Sequence, residues 1–185
     1  IKNIIRRIFL LKHLMLIKKF NFMYKLFNNI KNKLKVILKK KKINSPERNY
    51  FEKIIIPALG LHQIKNVLFV GVGPYTWHYQ KLFNSQGINL YTVDVREEAS
   101  IWGVKGKHKC VNVLNSDFNP FPEIEFDLII LIGVIGYGIN IQNDVIVAFN
   151  NFLKILNNKN SKFLVACEDK FNLIPNKIIN ENNIN

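Results

Sequence analysis

The chain has 185 residues, room for one domain with a hydrophobic core and an appendage but not for two full domains. Its formal charge of +14 is unevenly placed: of 27 Lys and Arg, 14 fall in residues 1–44, which hold no Asp or Glu, and the other 13 balance the 13 acidic residues of 45–185. A nucleic-acid binder would carry its positive charge on the folded domain, so this distribution argues against such a partner; with only Cys110 and Cys167, a disulfide scaffold is excluded and a reducing, cytoplasmic setting fits.

Residues 1–44 read as a basic amphipathic helical arm. Phe20, Met23, Tyr24, Phe27, Ile30, Leu34, Ile37 and Leu38 recur at helical spacing, with Lys25, Lys31, Lys33, Lys35 and Lys39 mostly between them. Such an arm suits peripheral attachment to the inner, anionic membrane surface, and equally packing on its own domain. Lys12, Lys18 and Lys19 interrupt the apolar stretch 8–17, so neither a membrane span nor a secretory signal core is predicted.

The lysine run 39–42 and the sequence Asn44-Ser45-Pro46 mark a linker, and the main domain, 45–185, opens with a short helix at about 47–59. After Gly60 the rhythm becomes short apolar runs separated by helical or turn segments. Strands are expected at 66–70, 89–94, 109–113, 127–132 and 162–167, and helices at about 77–85, 97–101 and 143–156, the last capped by Asn140 and Asn143. Strands alternating with helices imply an α/β fold with a mostly parallel sheet.

The chemistry is expected where strands end. The first strand runs into Gly71 and Gly73, and small residues at a strand-to-helix turn let the backbone approach a ligand; a purely structural turn is the competing reading. The second strand, LYTVDV, ends in Asp94, 23 residues after Gly71, the spacing at which an acid accepts hydrogen bonds from a ribose; the same Asp94 could instead cap a helix begun by Arg96, Glu97 and Glu98. His78, at the start of the first core helix, is a general-base candidate or a packing residue, and Tyr75, Tyr137 and Asn140 sit on turns beyond strand ends, as substrate contacts or as structural turn residues. His13, His62, His78 and His108 share no metal-ligand spacing with one another or with the cysteines, so no metal is predicted, and neither a G-x-S-x-G elbow nor a P-loop occurs.

Taken together, VLFVGVGPYT at 67–76, LYTVDV at 90–95 and FDLIILIGVIGYGIN at 126–140 resemble the successive motifs of class I S-adenosylmethionine-dependent methyltransferases, over roughly residues 66–167. The resemblance implies a Rossmann-like sheet with flanking helices and S-adenosyl-L-methionine as cofactor. It implies cofactor contacts at Gly71, Val72, Gly73 and Tyr75 in the glycine turn, Asp94 and Val95 after the second strand, Asn112 and Val113 at the adenine, and Ile132 and Gly133 beside the methyl donor. His78, Tyr137 and Asn140 would face substrate. Phe69 stands where the family carries an acid, and Tyr75 where it carries a third glycine. Only about 18 residues follow Cys167, fewer than the helix and antiparallel hairpin that continue the family's sheet, so a C-terminally shortened version is implied.

Three functions follow as expectations. The first is methyl transfer to a small-molecule, sugar or lipid-linked acceptor, in which the protein mainly aligns an already activated donor. The second is a nicotinamide-dependent oxidoreductase, whose third fingerprint glycine would stand at Thr76. The third, motivated by Phe69 and Tyr75, is a non-catalytic interaction module.

Overall fold

The structure is a computed structural model and describes residues 23–25, 45–156 and 161–167. The chain divides into the units Ile1–Lys41 and Lys42–Asn185. Of the first, Met23–Lys25 are helical; the rest of the expected arm helix lies outside the described residues, as does 168–185, on which the expectation about the C-terminus falls. Among the described residues no helix is long and apolar enough to cross a membrane.

The second unit opens with a continuous helical stretch, its α-helical pieces Pro46–Tyr50 (α1) and Ile56–Gly60 (α2) joined by a π-helical turn, Phe51–Ile55. Ser45 caps it, its Oγ accepting from the Arg48 N–H at 3.3 Å. The widened turn precedes Pro57, which has no N–H to give and whose ring crowds the carbonyl one turn back; Ile56 N–H reaches back to Phe51 O instead.

Five parallel strands follow: β1 Asn66–Val70, β2 Asn89–Asp94, β3 His108–Cys110, β4 Leu128–Ile132 and β5 Lys162–Ala166, in the spatial order β3-β2-β1-β4-β5. The order reverses between β1 and β4, so the crossovers leave a crevice at their carboxyl ends. β1 and β4 are nearly uniform apolar runs because both faces of the sheet are covered. On one face Leu68, Val70, Val93, Ile129 and Leu131 pack with Val145, Ala148, Phe149 and Phe152 of helix α4 (Gln142–Leu153). On the other, Val67, Phe69, Leu90 and Ile130 pack with Phe51, Ile56 and with Tyr79 and Phe83 of helix α3 (Tyr79–Asn84). Each fully buried side chain of this size stabilises the fold by about 1.5–3 kcal/mol.

Where the elements differ from expectation, local hydrogen bonds give the reason. The third strand stops at Cys110 rather than 113, because the Asn112 side chain accepts from Leu114 N–H at 3.0 Å and turns the chain out of the sheet. Helix α3 starts at Tyr79 because Gly73–Thr76 first closes as a turn of its own. Residues Glu97–Trp102 form a 3-10 helix. The cap of α4 is Ile141, with no side-chain bond, so Asn140 and Asn143 do not cap it; Asn140 Nδ2 donates to Tyr137 O at 3.5 Å instead.

Candidate cofactor site

The crevice at the β1–β4 reversal is a cleft of about 730 Å³ lined from the carboxyl ends of four strands. It brings together Gly71, Tyr75, Asp94, Val95, Asn112, Val113, Gly133 and Tyr137 of the residues singled out from the sequence. Val72, Gly73 and Ile132 do not line it; the side chains of Val72 and Ile132 pack in the core layer of α3. Two candidates stand apart. His78 is half-buried with Nε2 3.1 Å from Glu52 Oε1, an ion-pair distance without hydrogen-bonding orientation, and its ring packs edge-on between Trp77 and Tyr79. Asn140 is exposed and bonds within its own turn.

Gly71 holds φ at +80°, and a side chain added there would bring its Cβ within 2.9 Å of Val134 Cγ2, across the cleft floor. Glycine is therefore required twice over, for backbone conformation and for close approach of the two strand ends. Several other groups of the turn are bonded within the site. Val72 N–H donates to Asp94 Oδ2 at 2.9 Å, and Gly73 N–H donates to Thr76 Oγ1 at 3.2 Å, while that hydroxyl donates to Gly73 O at 3.0 Å. Pro74 has no N–H, and Thr76 N–H is bonded to Gly73 O.

Asp94, 5% exposed, is the polar centre of the cleft. Oδ2 accepts from Val72 N–H and from Arg96 Nη2 at 3.0 Å; Oδ1 accepts from Arg96 N–H at 2.9 Å and Arg96 Nε at 3.0 Å. Arg96 Nη2 also donates to Val72 O at 2.8 Å, closing the ring back onto the glycine turn. Burial pushes the carboxyl's pKa up, but the hydrogen bonds from Arg96 and Val72 and the guanidinium charge outweigh it and hold Asp94 below the usual carboxylate range. Asp94 is not the cap of the 3-10 helix, whose N-cap is Arg96 with no side-chain bond; its Oδ1 turns the chain through Arg96 N–H, and its carboxylate lies at the cleft. The Arg96 side chain is half exposed, whereas the carboxylate it pairs with is buried.

The opposite wall is built without charge. The loop after β4 folds onto one acceptor, Val134 O, which receives the N–H groups of Tyr137, Gly138 and Ile139 at 3.3, 2.8 and 3.0 Å. Gly133, at φ +70°, starts this loop. Below it, buried Asn151 of α4 donates through Nδ2 to Val113 O and Asn115 O, both at 2.8 Å, fixing the loop that follows β3.

Three residues that shape the site are not marked by the sequence pattern. Arg48 lines the cleft from α1, ahead of the first motif, where nothing in the local pattern marks it. Arg96 carried a signal only as the neighbour of Asp94. Asn151 was detectable in principle, as a polar residue inside the apolar stripe Val145, Ala148, Phe149 and Phe152. Asp127, read as the opening of the fourth-strand motif, lies at the far end of the sheet, where Oδ2 accepts from Lys65 and Asn66 N–H at 2.8 and 2.9 Å and anchors the entry to β1. Among the described residues no cluster of His, Cys, Asp or Glu could hold a metal ion, and the Cys110 thiol donates to Val95 O at 3.4 Å.

No family model and no curated protein matches the sequence. Solved structures similar in backbone include the N-methyltransferase NodS from Bradyrhizobium japonicum WM9 in complex with S-adenosyl-L-homocysteine, at TM-score 0.48 and 19% identity over 62% of this chain and 59% of that one. The same protein without ligand gives TM-score 0.48 at 18% identity over 63% of this chain and 66% of that one. A SAM-dependent methyltransferase from Bacteroides fragilis in complex with S-adenosyl-L-homocysteine gives 0.42 at 18% identity, over 64% and 50%. The chain thus spans 50–66% of the length of these structures.

Proposed function

We propose that the chain is an S-adenosylmethionine-dependent methyltransferase acting on a small-molecule, sugar or lipid-linked acceptor. The observation that carries this reading over the dinucleotide alternative is that the N–H groups of Val72, Gly73 and Thr76 in the glycine turn are already bonded within the site. A pyrophosphate needs free N–H groups at the turn and at a helix start. Here Val72 and Gly73 N–H are committed to Asp94 and Thr76, Pro74 has none, and α3 begins only at Tyr79, whose N–H is bonded to Thr76 O. A cofactor without phosphates suits such a turn, and Asp94 at the end of β2 offers the acceptor a ribose diol requires. S-adenosylmethionine has both properties.

The residues fit distinct parts of that cofactor. Asp94 would hold the ribose after displacing the Arg96 side chain, Asn112 and Val113 would flank the adenine, and Gly133 would leave room beside the sulfonium. When bound, the cofactor supplies an activated methyl group. The chain's part is to orient it and to present an acceptor from the Tyr137 side, where the wall is apolar and exposed; positioning of this kind can supply several kcal/mol of the barrier reduction, up to about 7–11.

Incubation of the full chain with methyl-labelled S-adenosylmethionine and an extract separated into lipid, sugar and small-molecule fractions tests the reading. Label is expected in one fraction, suppressed by S-adenosylhomocysteine and lost in Asp94→Ala. Hydride transfer from NADH without methyl transfer would favour the oxidoreductase reading, and no reaction with either the interaction module. For residues 1–44 we propose peripheral contact with an anionic membrane, motivated by 14 basic and no acidic side chains. Cosedimentation with phosphatidylserine vesicles but not with phosphatidylcholine vesicles is expected; equal pelleting with both would sink it.

A further inference from the structure

On the α3 side of the sheet lies a second hollow, which shares no lining residue with the cofactor cleft. It exists because the segment after β2 is short: six residues of 3-10 helix, Glu97–Trp102, bury Ala99 alone, where an amphipathic α-helix would lay a whole apolar face on the sheet. The wider part, about 300 Å³, is lined by Gln80 and Asn84 of α3, by Asn89 at the start of β2 and by Lys107 just before β3. It shares Gln80, Leu90 and Val104 with a narrow recess of about 10 Å³, room for one hydroxyl group or water, which Trp77 and Trp102 line.

The groups around this hollow are unlike those of a bare surface. The Trp102 Nε1–H is buried and has no hydrogen-bond partner among the described residues, and an indole N–H can only donate, so an oxygen entering the recess would satisfy it. Trp77 is 44% exposed and presents part of its indole at the same end. The exposed Gln80 amide, shared by both parts, can donate and accept. Lys107 Nζ donates to Asn89 Oδ1 at 3.0 Å and lies 4.8 Å from the centroid of the Tyr91 ring, which fixes the ammonium in place and leaves two of its three donors for a ligand. Among the described residues Lys107 is the one charged side chain that lines the hollow.

We propose that this hollow binds an acidic saccharide, with a sugar hydroxyl accepting from Trp102 Nε1, further hydroxyls on the Gln80 and Asn84 amides, and the carboxylate on Lys107. Hydroxyl groups donate and accept as the amides do, the C–H faces of a sugar ring suit an indole, and a single negative charge matches a single cation. A hydrocarbon would leave the amides and the Trp102 N–H unmet, and a doubly charged phosphate would meet one cation where two are needed. The site goes beyond the methyltransferase reading and does not depend on it.

The chain has two tryptophans and both line the recess, so intrinsic fluorescence reports on this hollow without a label. Titration of the full chain with glucuronic acid is expected to give a saturable change in emission, and glucose to bind on the order of tenfold more weakly. Lys107→Met should abolish the preference between the two sugars, and Gln80→Ala should weaken both about fivefold, with melting temperatures reporting that each variant is folded. No saturable response to either sugar, or an undiminished preference for glucuronic acid in Lys107→Met, would overturn the proposal. An equal response to acetate would overturn it as well, since the carboxylate alone would then be what the hollow reads.

Discussion

The two walls of the cleft are made by different means. On the β1–β2 side hydrogen bonds set the shape: Asp94 accepts four of them, Arg96 bridges it to Val72 O, and Thr76 closes both ways on Gly73. On the β4 side shape comes from packing, with Phe149 and Phe152 under the strand and a loop whose three N–H groups share Val134 O. A polar wall specifies what binds; an apolar wall sets whether the domain stands. The two can therefore be broken separately, and Gly71 and Val134 are a place where they meet.

The largest stability effect is expected beneath the apolar wall. Phe152 is 0% exposed, and Phe152→Ala should cost about 3–5 kcal/mol in urea unfolding, while the protein that remains folded binds S-adenosylhomocysteine with unchanged affinity. A loss of affinity without loss of stability would show that the walls are not separable in this way.

Where the walls meet, Gly71→Ala should cost about 1–3 kcal/mol, since alanine must hold a positive φ and its Cβ would press on Val134. Val134→Ala in the same chain should return only the steric part. Full rescue, measured by the same unfolding curves, would mean that the positive φ carries no strain.

A smaller effect is expected from His108 at the start of β3, whose Nδ1 lies 3.0 Å from Thr92 Oγ1 while Nε2 has no partner. Burial holds its pKa below the usual imidazole value despite the opposing charge of Asp94. The folded state therefore binds fewer protons than the unfolded chain near pH 6.5, and stability is complete above that pH and declines as the pH falls through the lower folded value. Denaturant midpoints between pH 7.5 and 5 should slope less in His108→Gln than in wild type.

The fold was legible from the sequence wherever the apolar pattern alone decided it. Strands β1 and β2 begin and end as expected because Asn66–Val70 and Asn89–Asp94 are buried runs bounded by polar turns. Boundaries moved where a side chain competes with the backbone, as Asn112 does in ending β3 and Thr76 in delaying α3. The same distinction holds at the site. Gly71 and Asp94 were legible because a turn and a spacing mark them, whereas Arg48 reaches the cleft through a helix packed by Phe51 onto Phe69 and Tyr79, a tertiary fact that no local pattern contains. His78 had the chemistry of a base, but its place at the start of α3 turns it toward Glu52.

Asp94 and Arg96 bring the comparison to its sharpest point, because one offers the anion and the other covers it. Arg96→Ala removes an exposed competitor and should tighten nucleoside binding up to about fivefold. The most direct measurement is calorimetry of S-adenosylhomocysteine with wild type and Asp94→Ala, alongside NAD. The account predicts saturable one-site binding to wild type, at least about tenfold weaker binding to a still folded Asp94→Ala, and no heat with NAD. Equal affinity in the two proteins, or saturable NAD binding without S-adenosylhomocysteine binding, would contradict it.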